Sequence, residues 1–514
     1  MSRKPIRKIL VANRGEIAVR VFRTCRELGV STVAVFSEAD RSAFHVRFAD
    51  EAFLIGPAPA AQSYLDASKI VDAALQCGAD AIHPGYGFLS ENAAFAETCA
   101  EAGVTFIGPP PEAIRNMGDK TKARALMQQA GVPVAPGSPA IAEDSPSDKV
   151  TAIAAEIGFP ILVKAAAGGG GKGMRVVHSE DDLQRAVAAA QSEARAAFGD
   201  GRIFIEKYIE EPRHIEFQVL ADAQGHTVHL FERECSIQRR HQKVVEEAPS
   251  PVMTPEVRVR MGQAAVDAAR ACGYVNAGTV EFLVDADLNF YFMEMNTRLQ
   301  VEHPVTEWIT GIDLVAEQIR IAEGESLRVK QDDLHMHGHA IECRVYAEDP
   351  ENEFLPDPGA LVRHAPPSGS GVRVDAGVES GDRVEIHYDP MISKLTTWGR
   401  TRPEAIRRMV RALDEYEVTG VRTTIPFCRY VMEHDAYVSG RFDTHFVARH
   451  FSDGLPASDK DDLIEAAVLA AALHHIGRSA ASGAAGRPGN NENSQGSERS
   501  GTAGSRWLDR REYR

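Results

Sequence analysis

Acidic, amide and guanidinium side chains recur at every second position near the end of the segment 277–304. Its composition predicts two β-strands joined by an Asp/Asn turn, the second running from Phe290 to Val301. Because strand side chains alternate between two faces, Glu294 and Asn296 would share one face. Antiparallel pairing would bring Glu281, on the first strand, beside Glu294. Two carboxylates and an amide oxygen around one point are ligands suited to Mg2+ or Mn2+.

The same face continues with groups that can hold an anion and move a proton. Arg298 and Gln300 follow at the strand period, and Glu302 comes next as a candidate base. Alternating charges usually mark the solvated face of a strand. Here the second strand also carries large apolar side chains, namely Phe290, Phe292, Met293 and Met295. We therefore expect a buried strand, in which charged groups need partners or a ligand.

A glycine run, Gly168 to Gly173, follows the predicted strand that contains Lys164. Glycines allow backbone N–H groups to approach phosphate oxygens closely. The run fits GxGxxG, a weak signal by itself, and it is not a Walker A motif because no Ser or Thr follows Lys172. A second strand comes next, so we predict a hairpin flap that closes over a nucleotide. Lys120 and Lys164 would contact its phosphates, although an ordinary surface lysine is an equal alternative for Lys120.

Further candidate nucleotide contacts lie on the strands that follow. The backbone of 206–209 would bind an adenine edge as a hinge strand, with Ile209 against the ring. His214 would bond a ribose hydroxyl, and a satisfied core histidine is an equal alternative. After Glu234 the chain, CSIQRRHQKVVEEAPSP, is predicted as a polar loop. Its basic run 239–243 would be solvated by itself, but near Arg298 in an acidic chain it would complete an anion pocket.

The elements that position these groups begin with a parallel α/β unit. Residues 6–12 predict a buried strand, 13–28 a helix and STVAVFS the next strand, with no GxGxxG after the first strand. HPGYGFLSEN is a loop at a strand end, where α/β sheets bind ligands, so Tyr86 would face a substrate. A purely structural turn is an equal alternative for this loop.

The middle and end of the chain predict different architectures. Residues 112–130 predict one helix and 131–150 a Pro/Ser/Asp-rich connector. Short strands with Gly/Pro turns after 334 predict an α+β domain that ends near 453 and contains the amphipathic helix RPEAIRRMVRALDEYEV. In 454–514, DLIEAAVLAAALHHI predicts one short helix for peripheral docking, too short to span a bilayer, followed by a flexible linker.

Composition excludes several classes of protein. A length of 514 residues favours about three domains, and a net charge of −16 argues against non-specific nucleic-acid binding. The seven cysteines lack CxxC or metal-like spacing, which predicts reduced, packed thiols in a cytoplasmic protein. No signal peptide is evident and no run of eighteen apolar residues occurs, so we expect no membrane span.

Six motifs occur in a specific order, namely HPGYGFLSEN, KAAAGGGGKGMRVV, EKYIEEPRHIEFQVL, RRHQKVVEEAP, MEMNTRLQVEHPVTE and HAIECRVYAEDP. Together they resemble biotin carboxylase, the ATP-grasp enzyme or subunit of biotin-dependent carboxylases, over about residues 6–453. The resemblance implies an α/β and α+β fold in consecutive domains. These are a Rossmann-like pre-ATP-grasp domain at 1–118, an ATP-grasp domain at 119–333 with a mobile lid at about 136–206, a C-terminal domain at 334–453, and a helix with a flexible tail at 454–514.

The resemblance also implies roles for individual residues. The ATP-contacting positions are Lys120, Lys164, Gly170, Gly171, Glu206, Lys207, Ile209, His214 and His241, and the metal ligands, which also serve the nucleotide, are Glu281, Glu294 and Asn296. The bicarbonate pocket consists of Lys243, Arg298, Gln300 and Val301, with Glu302 as the base. Arg344 matches the arginine that holds the ureido oxygen of biotin, and Tyr86 is expected near the same ring.

The implied reaction uses ATP, two Mg2+ or Mn2+ ions and bicarbonate to carboxylate biotin on a carrier protein through carboxyphosphate, giving ADP and phosphate. The cations, Lys164, Lys243 and Arg298 would screen the repulsion between bicarbonate and ATP, and Arg344 would stabilise the biotin enolate. Because no carboxyltransferase domain or biotinyl Met-Lys motif is present, we expect the carrier protein and transferase on separate chains. A homodimer is also expected. The expected setting is acetyl-CoA carboxylase in fatty acid synthesis; pyruvate or another acyl-CoA carboxylase is the alternative.

Two other classes of function are less consistent with these motifs. Another ATP-grasp ligase, such as a carboxylate–amine ligase, shares the lysine, glycine and Glu/Asn framework but has no need of HPGYGFLSEN or the Arg344 segment. A scaffold that binds ATP only for regulation should lack catalytic residues, and none is missing from this sequence.

Overall fold

The computed structural model describes residues 4–166, 174–240, 242–452, 454–455 and 468–472. The chain separates into two units, 1–455 and 456–514. In the second unit, residues 468–472 are helical, and the rest of the predicted terminal helix lies outside the described residues. None of the helices in the described ranges is long and apolar enough to cross a bilayer.

The amino-terminal part is a parallel sheet with helical crossovers. Its strands are β1 (Lys8–Val11), β2 (Ser31–Ser37), β3 (Glu51–Gly56), β4 (Ala81–His83) and β5 (Thr105–Phe106), and its helices are α1 (Gly15–Glu27), α2 (Phe44–Phe48), α3 (Ala67–Cys77) and α4 (Ala93–Glu101). The five strands pair in parallel in the order β3-β2-β1-β4-β5. The predicted α/β unit is therefore confirmed.

The HPGYGFLSEN loop begins at the carboxyl end of β4. Asn13, just after β1, fixes it because its side-chain amide donates to the carbonyl oxygens of Pro84 and Tyr86, both at 2.8 Å. The loop thus lies at the sheet edge where parallel strands present their carboxyl ends, as the sequence predicts.

Helices connect this sheet to the rest of the chain, and two predictions fail here. Residues 112–130 form two helices, α5 (Pro111–Gly118) and α6 (Lys120–Gln129), because the Asp119 carboxylate caps α6 by accepting from the N–H groups of Thr121 and Lys122. Part of the predicted connector is helical, since α7 spans Ser147–Ile157. Pro146 and Ser147 mark the start of this helix, whereas residues 131–146 are not helical.

A small antiparallel sheet follows. It contains β6 (Ile161–Ala165), β7 (Arg175–Val177) and β8 (Ile203–Lys207) in the order β7-β6-β8, and α8 (Glu180–Phe198) precedes β8. The strands on both sides of the glycine run therefore pair as the predicted hairpin. The run itself, including Gly170 and Gly171, lies outside the described residues.

One eight-stranded sheet carries most of the remaining chain. Its strands are β9 (Arg213–Ala221), β10 (Thr227–Arg239), β11 (Gln242–Ala248), β12 (Asn276–Val284), β13 (Phe290–Asn296), β14 (His339–Tyr346), β18 (Val372–Ala376) and β19 (Met391–Gly399). Their order is β13-β12-β9-β10-β11-β14-β19-β18. The sheet therefore runs from the predicted ATP-grasp segment into the predicted α+β segment through the pairing of β11 with β14.

Short strands and helices complete the first unit. The strands are β15 (Glu348–Asp349), β16 (Leu355–Pro356), β17 (Arg363–Ala365) and β20 (Glu417–Thr419), and the helices are α9 (Pro255–Ala271), α10 (His303–Thr310), α11 (Leu314–Ala322), α12 (Arg402–Glu415), α13 (Ile425–Glu433), α14 (Asp435–Val438) and α15 (Phe446–His450). The amphipathic helix predicted near residue 402 is confirmed as α12, which buries Ile406, Met409 and Leu413.

Two secondary-structure predictions near the candidate site are wrong, one of a loop and one of the end of a strand. The segment from 234, predicted as a polar loop, forms the end of β10 and all of β11, and most of its side chains are buried. The strand predicted to reach Val301 ends at Asn296, and a turn leads from there to α10. In both places, charged side chains face partners from distant segments, which local composition does not reveal.

A glycine on α9 provides a test of how closely this helix packs on the large sheet. A Cβ at Gly262 would overlap the ring of His229, a buried residue of β10. We predict that Gly262→Ala lowers the unfolding free energy by roughly 1–3 kcal/mol through overpacking. Differential scanning calorimetry would detect this as a lower Tm. Gly118→Ala is the matched control, because nothing lies within 4 Å of a Cβ there, and an equal Tm in both variants would contradict the prediction.

Candidate active site

The two predicted metal-binding carboxylates lie side by side. Glu281 on β12 is the register partner of Glu294 on β13, so the predicted antiparallel pairing is confirmed. Glu281 is buried, and its Oε1 accepts hydrogen bonds from the side-chain amides of Asn296 and Gln300, both at 2.8 Å. Two amides that the sequence predicted on one face, those of Asn296 and Gln300, thus meet at a single buried carboxylate.

Lys243, on β11, joins this group to the proposed base. Its ammonium donates to Oε1 of Glu281 at 2.9 Å and to Oε1 of Glu302 at 2.6 Å, and it also contacts Glu216 on β9. Burial alone would lower the pKa of Lys243, but the three carboxylates outweigh burial and hold this pKa well above its usual value. Lys243 is therefore a permanent cation at the centre of the site.

His214 supplies a second positive charge. Its Nε2 lies 3.2 Å from Oε2 of Glu281 and 3.7 Å from Oε2 of Glu216. Burial opposes protonation of the ring, but the negative charge of Glu281 outweighs it and raises the pKa of His214 to about 9. The structure thus places His214 against the metal-side carboxylates, where the sequence had suggested a ribose contact or a core histidine.

Glu302 and Arg344 form the opposite side of the site. The Arg344 guanidinium donates from Nη2 to Oε2 of Glu302 at 3.0 Å and from Nε to Oε1 of Glu246 at 2.6 Å. Burial disfavours the charged form of Glu302, yet Lys243 and Arg344 outweigh it and lower the pKa of this carboxyl to about 2. Glu302 is therefore ionised at neutral pH and able to accept a proton.

Arg298 is held by the loop of the first domain. Its Nε donates to Oε2 of Glu91 at 2.9 Å, and its Nη2 donates to the Asn296 side-chain oxygen at 2.9 Å. Glu91 belongs to HPGYGFLSEN, and the sequence analysis predicts no role for it. Tyr86 in the same loop has a buried hydroxyl that makes no hydrogen bond with any described residue. A buried hydroxyl without a partner is costly, which suits a position that a ligand contacts.

Arg233, at the centre of the sheet, is the main residue that the sequence reasoning missed. It is completely buried on β10. Its guanidinium donates to side chains of four other segments (β9, β12, the turn before α10, and α10), namely Glu216, Gln218, Thr279, Gln300 and Thr306 at 2.5–3.0 Å. Glu232-Arg233-Glu234 within a strand was the available signal, but it fell at the boundary where a loop was predicted.

The predicted nucleotide contacts lie partly elsewhere. Lys164 donates to Oε2 of Glu206 at 2.6 Å, so these two residues meet across β6 and β8, and the Lys207 ammonium binds the carbonyl oxygens of Gly158 and Phe159. Ile209 follows β8 and is half-buried, and Lys120 is exposed at the start of α6. His241, like Gly170 and Gly171, lies outside the described residues. Lys164 and Glu206 therefore form a contact of their own, whereas the charge of Lys120 acts on Glu294.

The donor set fits a hard divalent cation. Glu281, Glu294 and Asn296 supply carboxylate and amide oxygens from two paired strands. Burial, and then the negative charge of Glu281, raise the pKa of Glu294 above its ordinary value. A cation bound by these three residues would remove this repulsion and would supply positive charge next to the phosphates of a nucleotide.

Comparisons with known proteins identify the family of this chain. Family models match three consecutive segments, described as biotin carboxylase N-terminal domain at 5–114, carbamoyl-phosphate synthase L chain ATP-binding domain at 119–330, and biotin carboxylase C-terminal domain at 342–449. Biotin carboxylase 1 of Bacillus subtilis is 55% identical over 86% of this chain and 98% of its own length. The chain belongs to the biotin carboxylase family.

Further relatives come from several carboxylases. A pyruvate carboxylase subunit from Methanothermobacter thermautotrophicus is 57% identical over 86% of this chain and 89% of its own length. Biotin carboxylase of Campylobacter jejuni, solved with a β-γ-ATP compound, shares 48% identity over 87% of this chain and 99% of its own, with a TM-score of 0.83. The biotin carboxylase domain dimer of Hydrogenobacter thermophilus 2-oxoglutarate carboxylase, solved with MgADP, ADP and bicarbonate, shares 50% identity over 87% and 98%, with a TM-score of 0.82.

Family membership determines the activity at a coarse level. The chain is an ATP-grasp ligase that uses ATP with Mg2+ to carboxylate biotin, and biotin is its carrier-bound substrate. The relatives include subunits of pyruvate and methylcrotonoyl-CoA carboxylases, so family membership alone leaves the final acceptor open.

The buried Arg233 network generates a prediction about stability. We predict that Arg233→Met lowers the unfolding free energy by about 3–5 kcal/mol, because Glu216 would remain buried without this partner. A thermal melt of the full chain would show the loss as a lower Tm. The matched control is Arg185→Met, which removes an exposed ion pair with Asp182 and should leave the Tm almost unchanged. Equal melting temperatures in the two variants would disprove the central role of Arg233.

Proposed function

We propose that this chain performs the biotin-carboxylating half-reaction of an acetyl-CoA carboxylase in fatty acid synthesis, in the cytoplasm. The observation that carries the mechanism is the continuous contact of Glu281, Lys243, Glu302 and Arg344. These residues link a metal-binding carboxylate to a guanidinium suited to a ureido oxygen. Bicarbonate would bind between them, where its carbon can pass from the nucleotide side to the biotin side.

We assign the nucleotide side to residues of the ATP-grasp segment. Lys120, Lys164 and the glycine flap bind the phosphates, and Glu206, Lys207 and Ile209 border the adenine, with His214 and His241 completing the contacts. Glu281, Glu294 and Asn296 hold Mg2+. The contact between Lys164 and Glu206 supports this grouping, because it leaves a lysine ammonium fixed at the end of a strand beside the flap. The segments 1–118, 119–333 and 334–453 would be the corresponding domains, with a lid at about 136–206.

Bicarbonate activation is assigned to Lys243, Arg298, Gln300, Val301 and Glu302. Lys243 and Arg298 bind the anion and reduce its repulsion from ATP. Glu302 removes its proton, which allows attack on the γ-phosphoryl group to give carboxyphosphate and ADP. Against the effect of burial, Lys243 and Arg344 hold the pKa of Glu302 at about 2. When bicarbonate shares these cations, the proton affinity of Glu302 rises, so the base becomes stronger only with substrate in place.

The biotin side is assigned to Arg344 and Tyr86. Arg344 would stabilise the enolate that forms when biotin N1 loses its proton, and the unpartnered Tyr86 hydroxyl supports a ligand at this position. The carboxylated biotin must then move to a transferase. We propose that a biotin carboxyl carrier protein and a carboxyltransferase on separate chains act with this protein. A homodimer is proposed because the similar Hydrogenobacter thermophilus domain is described as a dimer.

Loss of the base or of the anion-binding arginine should abolish turnover without loss of nucleotide binding. We predict that Glu302→Gln and Arg298→Ala each lower kcat for bicarbonate- and biotin-dependent ATP hydrolysis by roughly 10²- to 10⁴-fold. Isothermal titration calorimetry should give an ATP Kd equal to that of the wild type. The control is Glu112→Gln, an exposed position on α5. Normal turnover in either site variant would remove that residue from the catalytic roles.

The acceptor can be identified with the partners of this chain. Carrier and transferase subunits would be co-purified with the full-length chain and supplied with labelled bicarbonate and either acetyl-CoA, propionyl-CoA, 3-methylcrotonoyl-CoA or pyruvate. We expect acid-stable label in malonyl-CoA. If label appears only in oxaloacetate, the proposed acetyl-CoA carboxylase assignment is wrong and the chain serves a pyruvate carboxylase. The 57% identical pyruvate carboxylase relative favours this alternative.

A further inference from the structure

Lys394, on β19, is a completely buried lysine at the point where three parts of the fold meet. Its ammonium donates to the carbonyl oxygen of Val301 at 2.9 Å, in the turn that precedes α10. The same nitrogen lies 3.4 Å from Oε2 of Glu16, in the first turn of α1. Lys394 therefore connects the parallel sheet domain and the turn that carries Glu302 to the carboxyl-terminal strands.

The ion pair between Lys394 and Glu16 is poorly suited to stability alone. Glu16 is buried, and neither of its carboxylate oxygens accepts a hydrogen bond from any described residue. Buried pairs without additional hydrogen bonds seldom repay the cost of desolvating two charges. By contrast, the contact with the Val301 carbonyl has normal hydrogen-bond geometry. The arrangement thus indicates that the Lys394 ammonium serves mainly to bind the Val301 carbonyl.

The position of Val301 connects this contact to the chemistry. It immediately precedes Glu302, and its turn is also anchored at Thr297, whose N–H donates to Glu91, and at Gln300, which binds Arg233 and Glu281. Lys394 is also the register partner of Arg344, so it lies beside the residue assigned to biotin. Its ammonium is 5.7 Å from the ring of Tyr86. Lys394 therefore lies near both residues that are assigned to the biotin side, Arg344 and Tyr86.

We propose that Lys394 is a positioning residue for bicarbonate activation, which holds the Val301 carbonyl and thereby orients Glu302 and the Val301 N–H, with Glu16 as its counter-ion. The proposal rests on the proposed roles of Val301 and Glu302. It goes beyond them by assigning a function to a lysine that touches neither ATP nor bicarbonate. Loss of the anchor should disturb the bicarbonate step and leave nucleotide binding intact.

The test compares Lys394→Met with the double variant Glu16→Gln/Lys394→Met. Each full-length protein is assayed for bicarbonate- and biotin-dependent ATP turnover with free biotin, and KM for bicarbonate, KM for ATP, kcat and Tm are measured. For Lys394→Met we expect kcat/KM for bicarbonate to fall roughly 10- to 100-fold, because small displacements of catalytic groups have effects of that size. KM for ATP should stay at the wild-type value.

The double variant separates positioning from simple ion pairing. Removing both charges should restore much of the Tm that the single variant loses, because Glu16 no longer remains as a buried charge without its counter-ion. The bicarbonate defect should persist, since the Val301 carbonyl still lacks its donor. Lys8→Met is the matched control, because the Lys8 ammonium, at the start of β1, also binds one backbone carbonyl, that of Cys77, and one carboxylate, that of Glu51.

The remaining outcomes overturn the proposal. Wild-type bicarbonate kinetics in Lys394→Met, or recovery of both Tm and bicarbonate kinetics in the double variant, would show that the pair is only structural. The same conclusion follows if circular dichroism shows that neither variant folds. Failure of the proposed function itself would appear differently, as a wild-type protein whose ATP turnover does not depend on bicarbonate and biotin.

Discussion

The ammonium of Lys243 is the interaction on which the rest of the site depends. It contacts Glu216, Glu281 and Glu302 together, and Arg233, His214 and Arg344 supply further positive charge to these buried carboxylates. Because buried charges are tolerated only when they are paired, this one cation allows a metal-binding carboxylate and a base to lie within reach of each other. The same cation keeps Glu302 ionised before any substrate binds.

A continuous sheet brings this cluster together. The pairing of β11 with β14 places Lys243 and Glu246 on one strand and Arg344 on the next, although the two strands come from different predicted domains. The loop of the first domain adds Glu91 and Tyr86 from the side. Residues from separate parts of the chain thus lie together in the site, because the continuous sheet holds those parts in register.

Some of this could be predicted from the sequence. The period-two alternation around Glu294 and the short Asp/Asn turn predicted the β12–β13 pairing, because strand geometry is local. The segment from 234 was mistaken for a loop, because its charged residues suggested solvent exposure. In the structure Arg233 and Glu246 are buried and the Lys243 side chain is only 11% exposed, and their partners are residues such as Gln300, Glu302 and Arg344. Burial of charge depends on partners that are remote in sequence, so composition alone could not indicate it.

The sequence by itself determined the residue types, their order, the parallel α/β start and the family that the motifs resemble. Only the tertiary structure decided which charges meet. It paired Arg298 with Glu91, 207 positions away, and it placed Lys394 between Val301 and Glu16. The physical reason is that strand and turn preferences arise from neighbouring residues, whereas the balance of buried charges arises only when distant segments pack and exclude water.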